Sequence, residues 1–470
     1  MSVLKICFLA VLAVIAGLLR KGRGLVLLAF STFLVFWLQP RFGNPSFTFF
    51  VPLATLFLAI LSWGITSTKN SRSWKKNYPA LCVILGVTVL FWLNRYFHLD
   101  LFFEASTPRL ILLISAWVFL LVGLLIILRV LRWQRGLLVL SAIVVISLLI
   151  LVKSDVIAGY VRLLINKLIG KYSTLILFQF QWLGFSYIAF RLLHTFFEKR
   201  AGRMPEVSLE EYINYAIFFP ALSAGPIDRI ERFISDLREP KRLDNEGWLY
   251  SGKRLAVGLF KKFVIADSLA LLSLDKLDTF VKSPLWLWIL VYIYAFRIYF
   301  DFSGYTDIAI GLGRLAGVQL PENFLSPYTK PNLTLFWNSW HITLTQWFRS
   351  YYFNPLVRKI RQLKIKIPDF LVIFFAQITT MLLIGLWHGF SWNFIIWGAW
   401  HGIGLFFHNR WSVWIKPRMD SWASTPIRRN TIKVFGIIIT FNYVALGWVF
   451  FLIPIPAEAK FVLLKMFGIS

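Results

Sequence analysis

Long apolar runs separated by short polar loops make up most of the chain. Runs long enough to cross a bilayer as helices lie at about 2–20, 24–39, 47–66, 79–94, 109–130 and 136–152. Others follow near 173–197, 255–273, 284–300, 368–388, 391–409 and 434–453. The early loops alternate in charge. Arg20, Lys21 and Arg23 form one basic cluster, Lys69, Arg72, Lys75 and Lys76 a second, and Arg129, Arg132 and Arg135 a third. Residues 40–46 and 95–108 between them are less basic, so the alternation predicts an N-terminus outside the cell.

Two stretches break the spanning pattern. Residues 155–171 place Val156, Val161, Leu164, Ile165 and Leu168 along one helical face, interrupted by Arg162, Lys167 and Lys171. This predicts an amphipathic helix lying in the interface. Residues 211–228 are short and broken by Pro220, Gly225 and Pro226. They predict a re-entrant segment, because irregular backbone at membrane depth survives only inside protein or along a cavity. A charged cytoplasmic stretch follows at 229–254. Within it Gly247, Gly252 and Lys253 imitate a phosphate loop. Arg254 stands where that loop needs Ser or Thr, and no strand precedes it, so nucleotide binding is not expected. The fold expected is an all-α polytopic membrane protein with about 11–12 transmembrane helices plus re-entrant and interfacial helices.

Composition agrees. The 470 residues are 58% hydrophobic, with mean hydropathy +0.67, and their 21 Trp and 46 Phe suit interfacial belts and tight helix packing. The net charge of +28 does not argue for nucleic acid, because Lys and Arg fall between apolar runs instead of forming one basic domain. Cys7 and Cys82 sit in apolar runs without metal or disulfide spacing. The first run is followed, not preceded, by its cations, which predicts an uncleaved span.

The chemistry concentrates in 336–354, FWNSWHITLTQWFRSYYFN. Asn338, Trp340, His341, Arg349, Tyr351 and Tyr352 share this short aromatic stretch. Polar and ionisable groups inside a membrane protein are functional candidates by default. Asp301, Asp307 and Arg314 in 301–318 belong to the same class and should face the bundle interior or a cavity. Of six histidines, His98 lies in an outer loop, and His194 and His408 near span ends. His341, His388 and His401 are each flanked by Trp, a setting that excludes water and favours the neutral imidazole a general base needs. Each could equally be a buried histidine bonded to a neighbour. Arg349, Tyr351 and Tyr352 read either as a cationic approach for donor phosphates or an acidic carrier, or as a snorkelling Arg with belt tyrosines. GxSxG, HExxH and zinc spacings are absent from the sequence. Acyl transfer from a thioester fits what remains, since the donor is already activated and needs no metal or nucleotide.

The motifs FFPALSAGPIDR at 218–229, YIYAFRIYFDFSGYTDIAIGLGRLAGVQLPENFLSPY at 292–328, FWNSWHITLTQWFRSYYFNPL at 336–356 and GLWHG at 385–389 are similar to those of membrane-bound O-acyltransferases. The resemblance is to the bacterial alginate O-acetyltransferase and D-alanyl-lipoteichoic acid transferase branch. It extends over roughly 175–410 and implies three regions: 1–172 with N-terminal transmembrane helices and the interfacial helix, a catalytic core at 173–410, and a C-terminal helix and tail at 411–470. By position it implies that His388 and His341 are catalytic and that His401 matches a further histidine of the alginate-type branch. Trp340, Trp387, Asn338, Arg349, Tyr351, Tyr352 and Asp301 are expected at the substrate. The basic pair common before the first signature histidine is missing, since Asn338 and Ser339 stand there.

The resemblance further implies a ring of helices around a central funnel and a multi-pass protein of the bacterial inner membrane. The implied reaction carries an acyl group, acetyl first, from a cytoplasmic thioester to a hydroxyl of an extracytoplasmic polysaccharide. No bound cofactor or metal is expected, and acetyl-CoA or an acyl-carrier thioester serves as co-substrate. A periplasmic SGNH-type acyltransferase is a candidate partner, and nucleic acid is not. D-alanyl transfer to teichoic acid is the alternative within the family. A secondary transporter or a polysaccharide-export subunit is the alternative outside it, although the two matching halves expected of many transporters are not found.

Overall fold

The computed structural model describes residues 2–40, 45–97, 110–130, 134–160, 163, 182–241, 243–272, 283–363, 367–422 and 424–469. His98, most of the expected interfacial helix and the first part of the run at 173–197 lie outside these residues. In chain order the helices are α1 (Val3–Leu18), α2 (Arg23–Trp37), α3 (Pro45–Thr66), α4 (Trp74–Phe97), α5 (Leu110–Val130), α6 (Gln134–Lys153), α7 (Phe185–Arg200), α8 (Leu209–Ile217), α9 (Ile230–Arg238), α10 (Asn245–Leu259) and α11 (Asp267–Leu271). They continue with α12 (Pro284–Leu315), α13 (Leu333–Trp337), α14 (Ile342–Phe348), α15 (Asn354–Arg361), α16 (Asp369–His388), α17 (Trp392–Trp422), α18 (Pro426–Leu452) and α19 (Pro456–Met466). Among the described residues there is no named strand, only a single bridge between Phe324 and Trp340.

Among the described residues six helices are long and apolar enough to span: Thr48–Thr66, Trp74–Leu93, Arg135–Lys153, Pro284–Leu315, Asp369–His388 and Pro426–Leu452. Shorter apolar helices lie at Val3–Leu18, Arg23–Trp37 and Leu110–Ile126. The protein is therefore an all-α, multi-pass membrane protein. The run expected at 255–273 belongs, over its described residues, to a helical stretch that starts at Asn245 and carries Lys253, Arg254, Lys261 and Lys262. Its two central lysines are neutralised by carboxylates: Lys261 Nζ lies 2.7 Å from Asp307, and Lys262 pairs with Asp301. A π-helical turn at Phe260–Ala266 joins α10 to α11 at this point.

Packing divides the chain into two units, residues 1–255 with 308–321, and residues 256–307 with 322–470. These units cut across the sequence divisions at 172 and 410. In the first unit the segment around Pro220 is satisfied from within. Arg191 donates to the carbonyls of Ala216 and Ala221, and His194 Nε2 accepts from the Ile230 amide at the start of α9 (3.1 Å). Helix α8 opens with a reciprocal cap between Ser208 and Glu211, and its nine residues are too few to span. Buried Arg23 donates to the carbonyls of Leu237 and Ala316, closing the C-terminal ends of α9 and α12. Gly317 (φ +80°) ends α12, and a Cβ there would lie 2.1 Å from the Arg23 guanidinium.

The second unit is organised on the hairpin of α16 and α17. Gly385 and Gly398 sit where a Cβ would come within 2.2 Å of the Phe394 carbonyl oxygen and 2.5 Å of the Met381 carbonyl oxygen. The two backbones meet with no side chain between them, the close approach that small residues permit in membrane helices. Helix α18 packs on α17, and Trp400 and Tyr443 exchange hydrogen bonds with each other's backbone carbonyls.

Candidate active site

His341 precedes α14 as its N-cap, in left-handed backbone conformation (φ +43°, ψ +54°). A residue with a Cβ pays for that conformation, so the surroundings must impose it. They do so from both sides. The Ile342 amide donates to the Asn323 carbonyl at 3.0 Å, and the Leu325 amide donates to the Ser339 carbonyl at 3.0 Å. The Asn323 side chain also accepts from the Thr343 hydroxyl at 2.7 Å. This clamp buries the imidazole, which is 3% exposed, against Phe302 (ring centroids 4.7 Å) and Trp387 (5.8 Å).

His388 is the last residue of α16 and is half-buried. Its ring meets Trp387 at 4.5 Å, Phe451 at 4.8 Å and Trp397 at 5.4 Å. His401, fully buried on α17, meets Trp397 at 5.0 Å and Trp337 at 5.1 Å. The three histidines are therefore linked in one row of ring contacts, in which each neighbouring pair shares a tryptophan. Trp387 lies between His341 and His388, and Trp397 between His388 and His401. Their helix positions differ in charge preference. The C-terminal end of a helix favours a cation, and the N-terminal end disfavours one. His388 thus lies at the helix end that complements positive charge, and His341 at the end that complements negative charge. No group of three metal-ligating side chains occurs among the described residues.

The other expected site residues divide between this row and its margins. Trp387 is in the row. Trp340 packs among Phe324, Phe336, Tyr328 and Trp448, and its ring supports the segment that carries His341. Asn338 accepts a 2.6 Å hydrogen bond from exposed Arg349. Tyr351 stacks near Trp347 within a π-helical turn at Arg349–Phe353, and Tyr352 is half-buried in the same turn. Asp301 is half-exposed and paired with Lys262, one residue before Phe302, which touches His341. Asp307 is likewise held by Lys261.

Sequence reasoning placed Trp337 among the tryptophans around His341 but did not single out Trp397, Phe302 or Phe451. A signal was present for one pair: Trp397 and His401 are four apart on one helix, the spacing that puts side chains side by side.

The profile described as MBOAT, membrane-bound O-acyltransferase family, matches residues 136–450. Among curated proteins, the teichoic acid D-alanyltransferase of Streptococcus thermophilus is 33% identical over 281 residues, covering 57% of this chain and 68% of that protein. The peptidoglycan O-acetyltransferase of Helicobacter pylori is 35% identical over 277 residues, covering 56% and 48%. The probable alginate O-acetylase AlgI of Pseudomonas aeruginosa is 33% identical over 279 residues, covering 57% and 48%. The match thus spans about two thirds of the D-alanyltransferase and about half of each O-acetylating relative.

Proposed function

The chain belongs to the membrane-bound O-acyltransferase family, and within that family of acyltransferases we propose that it moves an acetyl group from a cytoplasmic thioester to a hydroxyl of an extracytoplasmic cell-surface polysaccharide. In this reading His388 takes the acceptor's O–H proton as the oxygen attacks the thioester carbonyl. The tetrahedral intermediate then collapses, and the departing thiolate takes the proton back from the imidazolium. His341 orients the donor. Acetyl-CoA or an acetylated carrier protein supplies the acyl group, and an SGNH-type partner on the outer side of the inner membrane is one route to the polymer.

The observation that carries the assignment is the placing of His388. It ends α16, the helix end that complements the positive charge a general base acquires, and its ring is flanked by Trp387 and Phe451. The greater share of the D-alanyltransferase that is matched supports a second reading, D-alanyl transfer to teichoic acid by the same histidines. The test is His388→Gln, which keeps size and hydrogen bonding but cannot exchange a proton near neutral pH. General-base help is worth about 10²–10⁴-fold, so acylation of the extracted polymer should fall by that factor at matched protein level. Near-normal acylation would remove His388 from the role. Mass analysis of the ester released by wild-type cells separates acetyl from D-alanyl.

A further inference from the structure

The inner end of the histidine row holds more hydrogen-bond donors than it can satisfy. Trp337, Trp397 and His401 are 5%, 1% and 0% exposed, and their rings pack edge to face in a triangle with centroids 5.0–5.8 Å apart. Neither indole N–H, nor either ring nitrogen of His401, has a hydrogen-bond partner among the described residues. A neutral imidazole brings one donor and one acceptor, and each indole brings one donor only. The triangle therefore presents three N–H protons and one lone pair. Buried donors are costly to leave unmet, so a ligand that brings acceptors without protons is favoured there. A hydroxyl or a water would add protons of its own. A carbonyl oxygen adds two lone pairs and no proton, and the oxyanion formed from it adds a third, one for each N–H.

Two features make the triangle a built site. Gly447 stands against His401, where a Cβ would lie 2.8 Å from Nε2, so glycine is needed for the helix to approach the ring without displacing it. Trp397 also touches His388, which puts the donor-rich corner beside the proposed base. We propose that Trp337, Trp397 and His401 form the oxyanion site of the reaction. They hold the thioester's carbonyl oxygen as the acceptor hydroxyl adds to its carbon.

This assignment rests on the acyl-transfer reading above and adds the group that receives the developing charge. As the new C–O bond forms, the carbonyl π pair moves onto oxygen and meets the N–H groups. When the pair returns, the C–S bond breaks and the thiolate leaves. N–H groups carried on buried, closely packed rings need little reorganisation as the charge appears.

The test uses Trp337→Phe and Trp397→Phe, which keep the aromatic ring and delete only the donor. In the purified full-length protein, each should lower kcat by about 10²–10³-fold, the usual cost of one oxyanion donor, with little change in KM. The thermal midpoint should stay at the wild-type value. Wild-type kcat in both variants would overturn the assignment. A binding arm separates its failure from failure of the acyl-transfer reading. S-acetonyl-pantetheine carries a carbonyl that S-propyl-pantetheine lacks, and neither can be turned over. The wild type should prefer the ketone about tenfold or more, and the double variant should lose that preference. Equal affinity of the two probes for the wild type would overturn the oxyanion site even if acyl transfer is confirmed. A ketone preference abolished by the double variant would uphold it even in a preparation that transfers no acyl group.

Discussion

Replacing His341 tests the clamp and the chemistry together, and the choice of substitute decides which is read. The native backbone is left-handed at this position, with φ +43°. For a residue with a Cβ that conformation costs about 1–2 kcal/mol, and Asn bears it better than most because its short polar side chain can bond locally. His341→Ala therefore loses the imidazole and retains the whole backbone cost in a 3% exposed position. His341→Asn loses the ring but keeps a hydrogen-bonding side chain suited to the same φ. His341→Gly removes the backbone cost and the side chain at once.

Because 1.4 kcal/mol is a tenfold change, the backbone term alone separates the Ala and Gly proteins by about five- to thirtyfold in folding equilibrium. Thermal midpoints of purified protein should rank Asn and Gly above Ala. Acyl transfer at matched folded concentration should rank Asn above both, if His341 acts through a hydrogen bond. Equal midpoints for all three would refute the backbone reasoning. Equal activities for Asn and Ala would refute the hydrogen-bonding role.

Arg349→Ala should raise the donor KM about tenfold or more with a smaller loss in kcat, since a charge-assisted hydrogen bond is worth about 1.5–3 kcal/mol. Asn338→Ala frees the guanidinium it now accepts from, so it should shift donor KM in the same direction by less. Unchanged donor dependence in both would make Arg349 a plain interfacial cation. Gly398→Ala should destabilise the hairpin of α16 and α17 by about 1–3 kcal/mol, because the new Cβ meets the Met381 carbonyl oxygen. A wild-type thermal midpoint would show that the backbones can separate freely. A cysteine placed at Lys364 should resist impermeant reagents in intact cells, and strong external labelling would reverse the orientation read from the basic loops.

Much of the fold was legible because membrane helices advertise themselves by length and apolarity, as the spans at 47–66, 136–152, 368–388 and 434–453 do. The ion pairs made from within 255–273 were not legible. An apolar count overlooks Lys261 and Lys262, whose partners lie 46 and 39 residues further on. The same distance hid the role of Asp301 as a lysine partner. The three Trp-flanked histidines stood out in the sequence. That Trp387 and Trp397 are each shared by two of them did not, since the first depends on the His341 turn packing against Trp387 and the second on the two helices meeting at glycines. The left-handed turn at His341 was equally hidden. It is imposed by Asn323, Ser339 and their backbone partners, not by any glycine or proline in the motif.

The glycine-lined contact between α16 and α17 also bears on how the site opens. Two helices in backbone contact have little room to slide or part, so His388 and His401 ride on one stiff piece. A substrate that must reach them cannot be admitted by spreading that piece. The movable wall is then the clamped turn before α14, or α18, whose Trp448 touches His401 and whose Phe451 touches His388. Turnover would then be paced by whichever of these walls yields, and a cross-link between α16 and α17 should leave the catalytic cycle running while one that ties α18 to α17 should stall it.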